Sequence, residues 1–289
     1  MTTFACLVFY IINFIHPVLK TEGMRYGFET YSFGFTHPAQ FAVVIICLTS
    51  IVLLLSIVEN KRVPYVYIFL NYFLIIIGGR STSIGFFSCI ILFAIIYPYK
   101  EKISIKFVGV AGLLFYFLTK DRAINQIFSD QTGEARGILL RTGFQIAKDQ
   151  FPLGSGLGMF GSHTSRMKYS PYYSIYGLDS IWGLTPENPK FVADSYWAMI
   201  IGELGFIGSI LVCIIFVLMF VSIWDELGET IFSKTKIVIL LPIIYALITS
   251  LVDTALVSKS VIIVMFSVVY MKKIFEEKKI YREHSLIGE

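Results

Sequence analysis

The sequence predicts an all-α, polytopic integral membrane protein with about eight transmembrane helices and one large loop between the fifth and sixth. Three observations predict it: composition, the length of the apolar runs, and where the charges fall. Hydrophobic residues make up 56% of the chain, charged residues only 15%, and mean hydropathy is +0.72. A soluble globule of this size carries more charge than that.

The runs come in order. A helix needs roughly 20 apolar residues to cross the hydrocarbon of a bilayer. Candidate spans are 3–19, 38–58, 63–77, 83–97, 107–118, 195–224, 237–255 and 258–271. The first carries Asn13 and His16, and the fifth and eighth are short. The first run does not read as a signal peptide, because it lacks a basic leader and an A-x-A-like cleavage site. The domain plan is therefore 1–118 with helices one to five, 119–194 as the loop, 195–271 with helices six to eight, and a charged tail at 272–289.

Charge placement gives the orientation. With the tail inside, Lys272, Lys273, Lys278, Lys279 and Arg282 fall on the same side as Lys234, Lys236, Lys100, Lys102, Lys106, Lys61 and Arg62. The short loops opposite hold Lys20, Arg25, Arg80 and Lys259. That asymmetry satisfies the positive-inside rule and puts the large loop outside the cytoplasm. Cys6, Cys47, Cys89 and Cys213 lie in apolar runs and read as small packing residues. There is no CxxC, HExxH or His/Cys cluster in the sequence, so no metal site is expected.

The loop is the polar part of the chain. It carries Arg136, Arg141, Lys148, Arg166, Lys168 and Lys190. Long loops are exempt from the topology rule, so these cations point to an anionic ligand. A helix is predicted from about Ala135 to Gln150, with Leu140, Phe144 and Ala147 on an apolar face and Arg141, Gln145 and Lys148 beside it. It ends at Phe151-Pro152, since a residue before proline resists helical angles. Gly154, Gly156, Gly158 and Gly161 follow. With no Gly-Lys-Ser/Thr ending and no βαβ context they read as a turn needing positive φ or close backbone approach, not as a nucleotide loop. Tyr169, Tyr172, Tyr173, Tyr176 and Trp182 suit either sugar stacking or an interfacial aromatic belt, and the belt is the simpler reading. His163 stands alone and reads as incidental.

Several residues have the right chemistry for an anionic, hydroxyl-bearing ligand. Arg80 lies in Gly78-Gly79-Arg80-Ser81-Thr82-Ser83, a small-residue frame that leaves a guanidinium accessible to pair bidentately with phosphate. The competing reading is an arginine snorkelling to headgroups. Arg141 and Lys148 share a helix face, whereas Arg136 and Arg141, five apart, do not. Cations converging on a diphosphate would stabilise a leaving group, and cations on a helix face would equally meet lipid phosphates. Asp194 is either a general base or a helix cap. Glu203 falls about 14 Å further along the same helix, where pairing within the bundle is favoured over chemistry. Asp253 ends the seventh span.

These stretches resemble the O-antigen polymerase and O-antigen ligase family of bacterial membrane glycosyltransferases. The resemblance is carried by Gly34-Phe35-Thr36-His37-Pro38-Ala39-Gln40-Phe41-Ala42 before an early span and by Gly79-Arg80-Ser81-Thr82 at the outer end of a helix. It is also carried by Arg141-x-x-Phe144-x-x-Ala147 leading to Pro152-Leu153-Gly154-Ser155-Gly156-Leu157-Gly158. Asp194-Ser195-Tyr196 and Gly202-Glu203-Leu204-Gly205-Phe206-Ile207-Gly208 complete it. Members usually have Trp near the Phe144 position and further spans ahead of the Gly34 segment. The resemblance implies an oligosaccharide donor linked through diphosphate to a polyprenyl lipid. It implies diphosphate contacts from Arg80, Arg141 and Arg136, supported by Lys148 and Glu203, with no metal, nucleotide or other cofactor. The ligase branch has a His-Asn pair at the re-entry point; this chain has Ala193-Asp194. That implies a polymerase of O-antigen or capsule units, with Asp194 activating the acceptor. The implied setting is the bacterial inner membrane with the loop on the periplasmic or extracellular side. Implied partners are undecaprenyl-diphosphate-linked oligosaccharide, the bilayer, a chain-length regulator and a flippase; no nucleic acid is expected. The alternatives are a ligase passing glycan to lipid A core or another acceptor, and a non-enzymatic flippase for the same lipid.

Overall fold

Helix accounts for 72% of the computed structural model, so the chain is mostly helical. The structure describes residues 2–35, 37–99, 105–128, 135–226, 233–251 and 254–287. In order the elements are α1 (Thr2–Ile15), β1 (Thr21–Arg25), β2 (Phe28–Tyr31), α2 (Pro38–Val58), α3 (Tyr65–Ile77), α4 (Ser81–Ile96), α5 (Ile105–Phe128), α6 (Ala135–Asp149), α7 (His163–Met167), α8 (Tyr172–Ile175), α9 (Tyr196–Glu226), α10 (Lys234–Ser250) and α11 (Ser260–Ile287). They fall into two compact units. One comprises Met1–Thr119, Leu227–Ala246 and Ser258–Glu289, and the other Lys120–Glu226 and Leu247–Val257.

In the first unit α2 is the central element. His37 caps its start by accepting the Ala39 N–H, and Pro38 occupies the first turn, where a missing N–H costs nothing. Phe41, Ile45, Ile46, Leu53 and Leu54 are buried, and α11 packs alongside. A buried amide ties three helices together. Thr3 Oγ1 donates to Asn71 Oδ1 at 2.8 Å, and Asn71 Nδ2 donates to Thr49 Oγ1 at 3.0 Å. The α3–α4 turn is held by Gly79 in a left-handed conformation, φ 65°.

The first predicted span is corrected here. α1 stops at Ile15, and residues 21–31 form an antiparallel hairpin. Its two-residue turn, Tyr26-Gly27, has positive φ at both positions (55° and 84°), the twist that suits a tight hairpin. A polar stretch of Thr21, Arg25 and Glu29 pairs its own backbone groups this way.

In the second unit α6 packs on α9. A Cβ at Gly143 would lie 2.8 Å from the Ala198 carbonyl oxygen, so the glycine permits the contact. The buried face of α6 is Ala135, Leu139, Gly143 and Ile146 with Ala147, and Phe144 is half exposed. The expected stripe of Leu140, Phe144 and Ala147 is thus rotated. The helix buries its small residues against a close neighbour and leaves the larger ring outside. Phe160, Tyr173, Leu178, Leu184, Val192 and Ala198 complete this core.

Among the described residues, two helices are long and apolar enough to cross a membrane: Pro38–Val58 and Tyr196–Asp225. The apolar helices Thr2–Asn13, Tyr65–Ile77, Ser81–Ile96 and Gly109–Thr119 are shorter. The second long helix is not the continuous rod predicted over 195–224, because Gly205 (φ 64°, ψ −165°) breaks it.

Candidate functional site

The second unit joins two of the sequence-predicted site residues. Arg136 enters from the first turn of α6, and Asp194 from the residues leading into α9. Arg136 Nη2 donates to Asp194 Oδ2 at 2.8 Å. The side chains are 26% and 32% exposed, so the pair is only partly covered. Packing of α6 against α9 sets the distance, and the Asp194 N–H donating to the Phe191 carbonyl fixes the approach. The Asp194 carboxylate thus faces a cation.

Arg141 and Lys148 are exposed on α6 and share one side of it with Phe144. Arg136 and Arg141, five residues apart, point in different directions, as their spacing requires. Lys148 stands in the last turn, where a cation complements the helix dipole. Of the other loop cations, Lys190 lies over the Phe191 ring, 5.5 Å from its centroid.

Glu203 is 5% exposed and sits inside this unit's core. Its Oε1 accepts the Phe160 N–H at 3.1 Å, so it braces the loop against α9. The next contacts are backbone to backbone. Ser155 N–H donates to Gly202 O at 2.9 Å, and Gly156 N–H to Glu203 O at 3.0 Å. The helix break leaves these carbonyls for the loop. Gly154 (φ 71°) meets it so closely that a Cβ there would lie 2.5 Å from Gly205 N. A Cβ at Gly161 would lie 2.9 Å from Met199 Cα. The glycine run is a docking seam, not a phosphate cradle.

The tyrosines divide. Tyr173 is fully buried; its hydroxyl receives the Gly161 N–H at 2.8 Å and bonds Ser165. Tyr169 donates to the Leu184 carbonyl at 2.7 Å. Burial pushes the Tyr173 hydroxyl up, and burial followed by the Asp179 charge takes Tyr169 to about 12. Tyr176 donates to Asp149 at 2.8 Å; burial, then that bond, carries it to about 12. Through these bonds the three rings brace the loop fold. Trp182, 70% exposed against the edge of Phe191, and the Tyr172–Tyr176 stack are the aromatic faces open to a ligand. His163 is exposed in the first turn of α7, beside the Ser162–Ser165 capping box.

Arg80 belongs to the first unit. Its Nη1 lies 2.8 Å from His37 Nδ1, which also receives the Ala39 N–H at 3.3 Å. Two donors converge on Nδ1, so the ring proton is assigned to Nε2. The stretches around His37 and Arg80, which separately carried the family resemblance, thus meet through their side chains. The sequence reading gave no role to Arg25. The hairpin brings it to the same turn, where Nη1 donates to the Gly79 carbonyl at 3.4 Å and a Cβ on Gly79 would run into Thr30. The available signal was the Tyr26-Gly27 turn. Asp253 lies outside the described residues.

Comparisons with protein-family models, with curated proteins and with solved structures return no match for this chain.

Proposed function

We propose that this chain is a polytopic protein of the bacterial inner membrane, with about eight spans, that polymerises undecaprenyl-diphosphate-linked oligosaccharide repeat units into O-antigen or capsular polysaccharide on the outer face. The single observation that carries the proposal is the Arg136–Asp194 pair at 2.8 Å. Glycosyl transfer from a diphosphate donor needs a cation for the departing phosphate and a base for the incoming hydroxyl. This pair supplies both types of group in one partly covered place.

The chemistry follows from their exchange of partners. A donor diphosphate draws the Arg136 guanidinium away from the carboxylate, since the planar fork pairs well with phosphoryl oxygens. Asp194, so released, accepts the proton of an acceptor sugar hydroxyl. That oxygen bonds to the donor's anomeric carbon as the carbon–phosphate-oxygen bond breaks. Undecaprenyl diphosphate leaves with the electron pair, stabilised by Arg136. Arg141 is retained as a diphosphate ligand on the strength of its motif, and Lys148 adds positive potential. Arg80 is retained as a phosphate ligand on the strength of its motif and its small-residue frame. Glu203 acts through the loop fold and touches no substrate.

The test is made in a strain whose surface polysaccharide depends on this gene, with Arg136→Ala, Asp194→Asn, Arg80→Ala and Arg141→Ala introduced singly. Losing a group that stabilises transition-state charge costs about a hundredfold or more in rate. Long chains should disappear and leave single repeat units on the acceptor. Chains of normal length in the Arg136 and Asp194 variants sink the proposal, and finished chains stranded on the lipid carrier would identify a ligase instead.

A further inference from the structure

The break at Gly205 divides α9 into halves with opposite surroundings. Before it, Ala198, Ile200, Ile201 and Glu203 are buried in the second unit's core. After it, no residue from Phe206 to Asp225 is buried, and none is charged until Asp225. Those roughly 20 residues span about 30 Å at 1.5 Å each, the hydrocarbon thickness of a bilayer. Phe220 and Trp224, stacked with centroids 5.5 Å apart, stand near the far end, where aromatic rings meet headgroups.

The turn after α6 is clamped to this break by Ser155, Gly156 and the Gly154 contact, so its height along α9 is fixed. Its apolar side chains nevertheless point outward: Phe151 is 69% exposed, Leu153 66% and Leu157 79%. The Phe151 ring lies 6.5 Å from that of Phe206, so this apolar surface is continuous with the bare half of α9. Phe144 on α6 is also half exposed, flanked by exposed Arg141 and Lys148.

We infer that Gly205 marks the outer surface of the bilayer, and that Phe144, Phe151, Leu153 and Leu157 form a lip that dips into the acyl boundary of anionic phospholipid. Arg141 and Lys148 lie at the level of the headgroup phosphates. Three features select lipid as the occupant: the length of the uncovered helix, the continuity of its surface with the lip, and cations at the rim that complement anionic headgroups. Amphipathic surfaces of this kind bind by burying apolar area while basic side chains meet anionic lipid. The inference concerns where the second unit rests and requires no transferase activity.

The experiment uses the full chain with its four cysteines replaced and one new cysteine, Leu153→Cys or Leu157→Cys, carrying an environment-sensitive NBD fluorophore. Both positions are exposed, so neither label should disturb folding. The protein is placed in nanodiscs of phosphatidylcholine and phosphatidylglycerol, with Ile210→Cys as the spanning-helix reference. Bromine on the upper acyl chain should quench most of the emission at 153 and 157, and aqueous iodide should quench little. Arg141→Glu with Lys148→Glu should reduce the bromolipid quenching and abolish its dependence on phosphatidylglycerol. Strong iodide quenching without bromolipid quenching overturns the inference, because the lip is then in water. Protection from both quenchers also overturns it, because protein then covers the lip. Unchanged bromolipid quenching in the charge-reversed variant removes the headgroup contact. None of these readouts involves glycan, so their failure is separable from that of the polymerase reading.

Discussion

Glu203 has the residue type of an intramembrane functional group and the surroundings of a structural brace. An isolated carboxylate inside an apolar run is costly, and sequence alone makes it a site candidate. The Phe160 N–H shows what it is used for. Glu203→Ala should destabilise the second unit by about 1–3 kcal/mol by leaving that buried donor unmet, whereas Glu203→Gln, which keeps an acceptor oxygen, should cost little. Thermal unfolding of the two variants in detergent distinguishes a brace from a reacting group; equal stability of both would remove the brace. Residue type made Arg80, Arg136 and Asp194 candidates in the sequence. Their partners were not legible, because His37 and Arg80 are 43 positions apart and Arg136 and Asp194 are 58 apart. Such pairs depend on which helices pack, and local pattern carries no information about that.

At the level of the element, α6 was legible in extent and illegible in rotation. Its proline stop and apolar spacing give its ends, while the buried face was decided by Gly143 lying against Ala198. The hairpin leaves no trace in the apolar periodicity that marks helices, and its one local signal is the Tyr26-Gly27 turn. The break in α9 was hidden for a different reason. Glycine inside an apolar helix usually costs only a fraction of its stability, so Gly205 looked like Gly202 or Gly208. Only the backbone shows φ 64° with ψ −165°, a region that glycine alone enters readily. Gly205→Ala therefore combines strained backbone with a Cβ 2.5 Å from both Gly154 N and Pro152 O. It should lose about 1–3 kcal/mol or more from the second unit. Limited proteolysis should then cut the 150–162 segment, and Ile210→Ala, at an exposed position on the same helix, should remain resistant. Equal resistance of the two would mean that the break is dispensable.

For the molecule as a whole, helical content and apolar character were legible from composition and run length. Span number is harder to read, because several apolar helices are shorter than a bilayer crossing and only two exceed it among the described residues. The charge asymmetry predicts that the 119–194 loop faces outward and the tail inward. A membrane-impermeant maleimide should label Ile175→Cys in intact cells, and Lys273→Cys only after permeabilisation, in a chain stripped of its native thiols. Labelling of both in intact cells would invalidate the proposed orientation.

The buried amide of Asn71 has a consequence for how the chain is made. Thr3 is synthesised before Asn71, and its hydroxyl finds its acceptor 68 residues later. α1 cannot complete this polar contact until α3 has been threaded beside α2. Until then the nascent segment must keep that hydroxyl hydrated or borrow a backbone carbonyl, so its final seating is a late event in biogenesis.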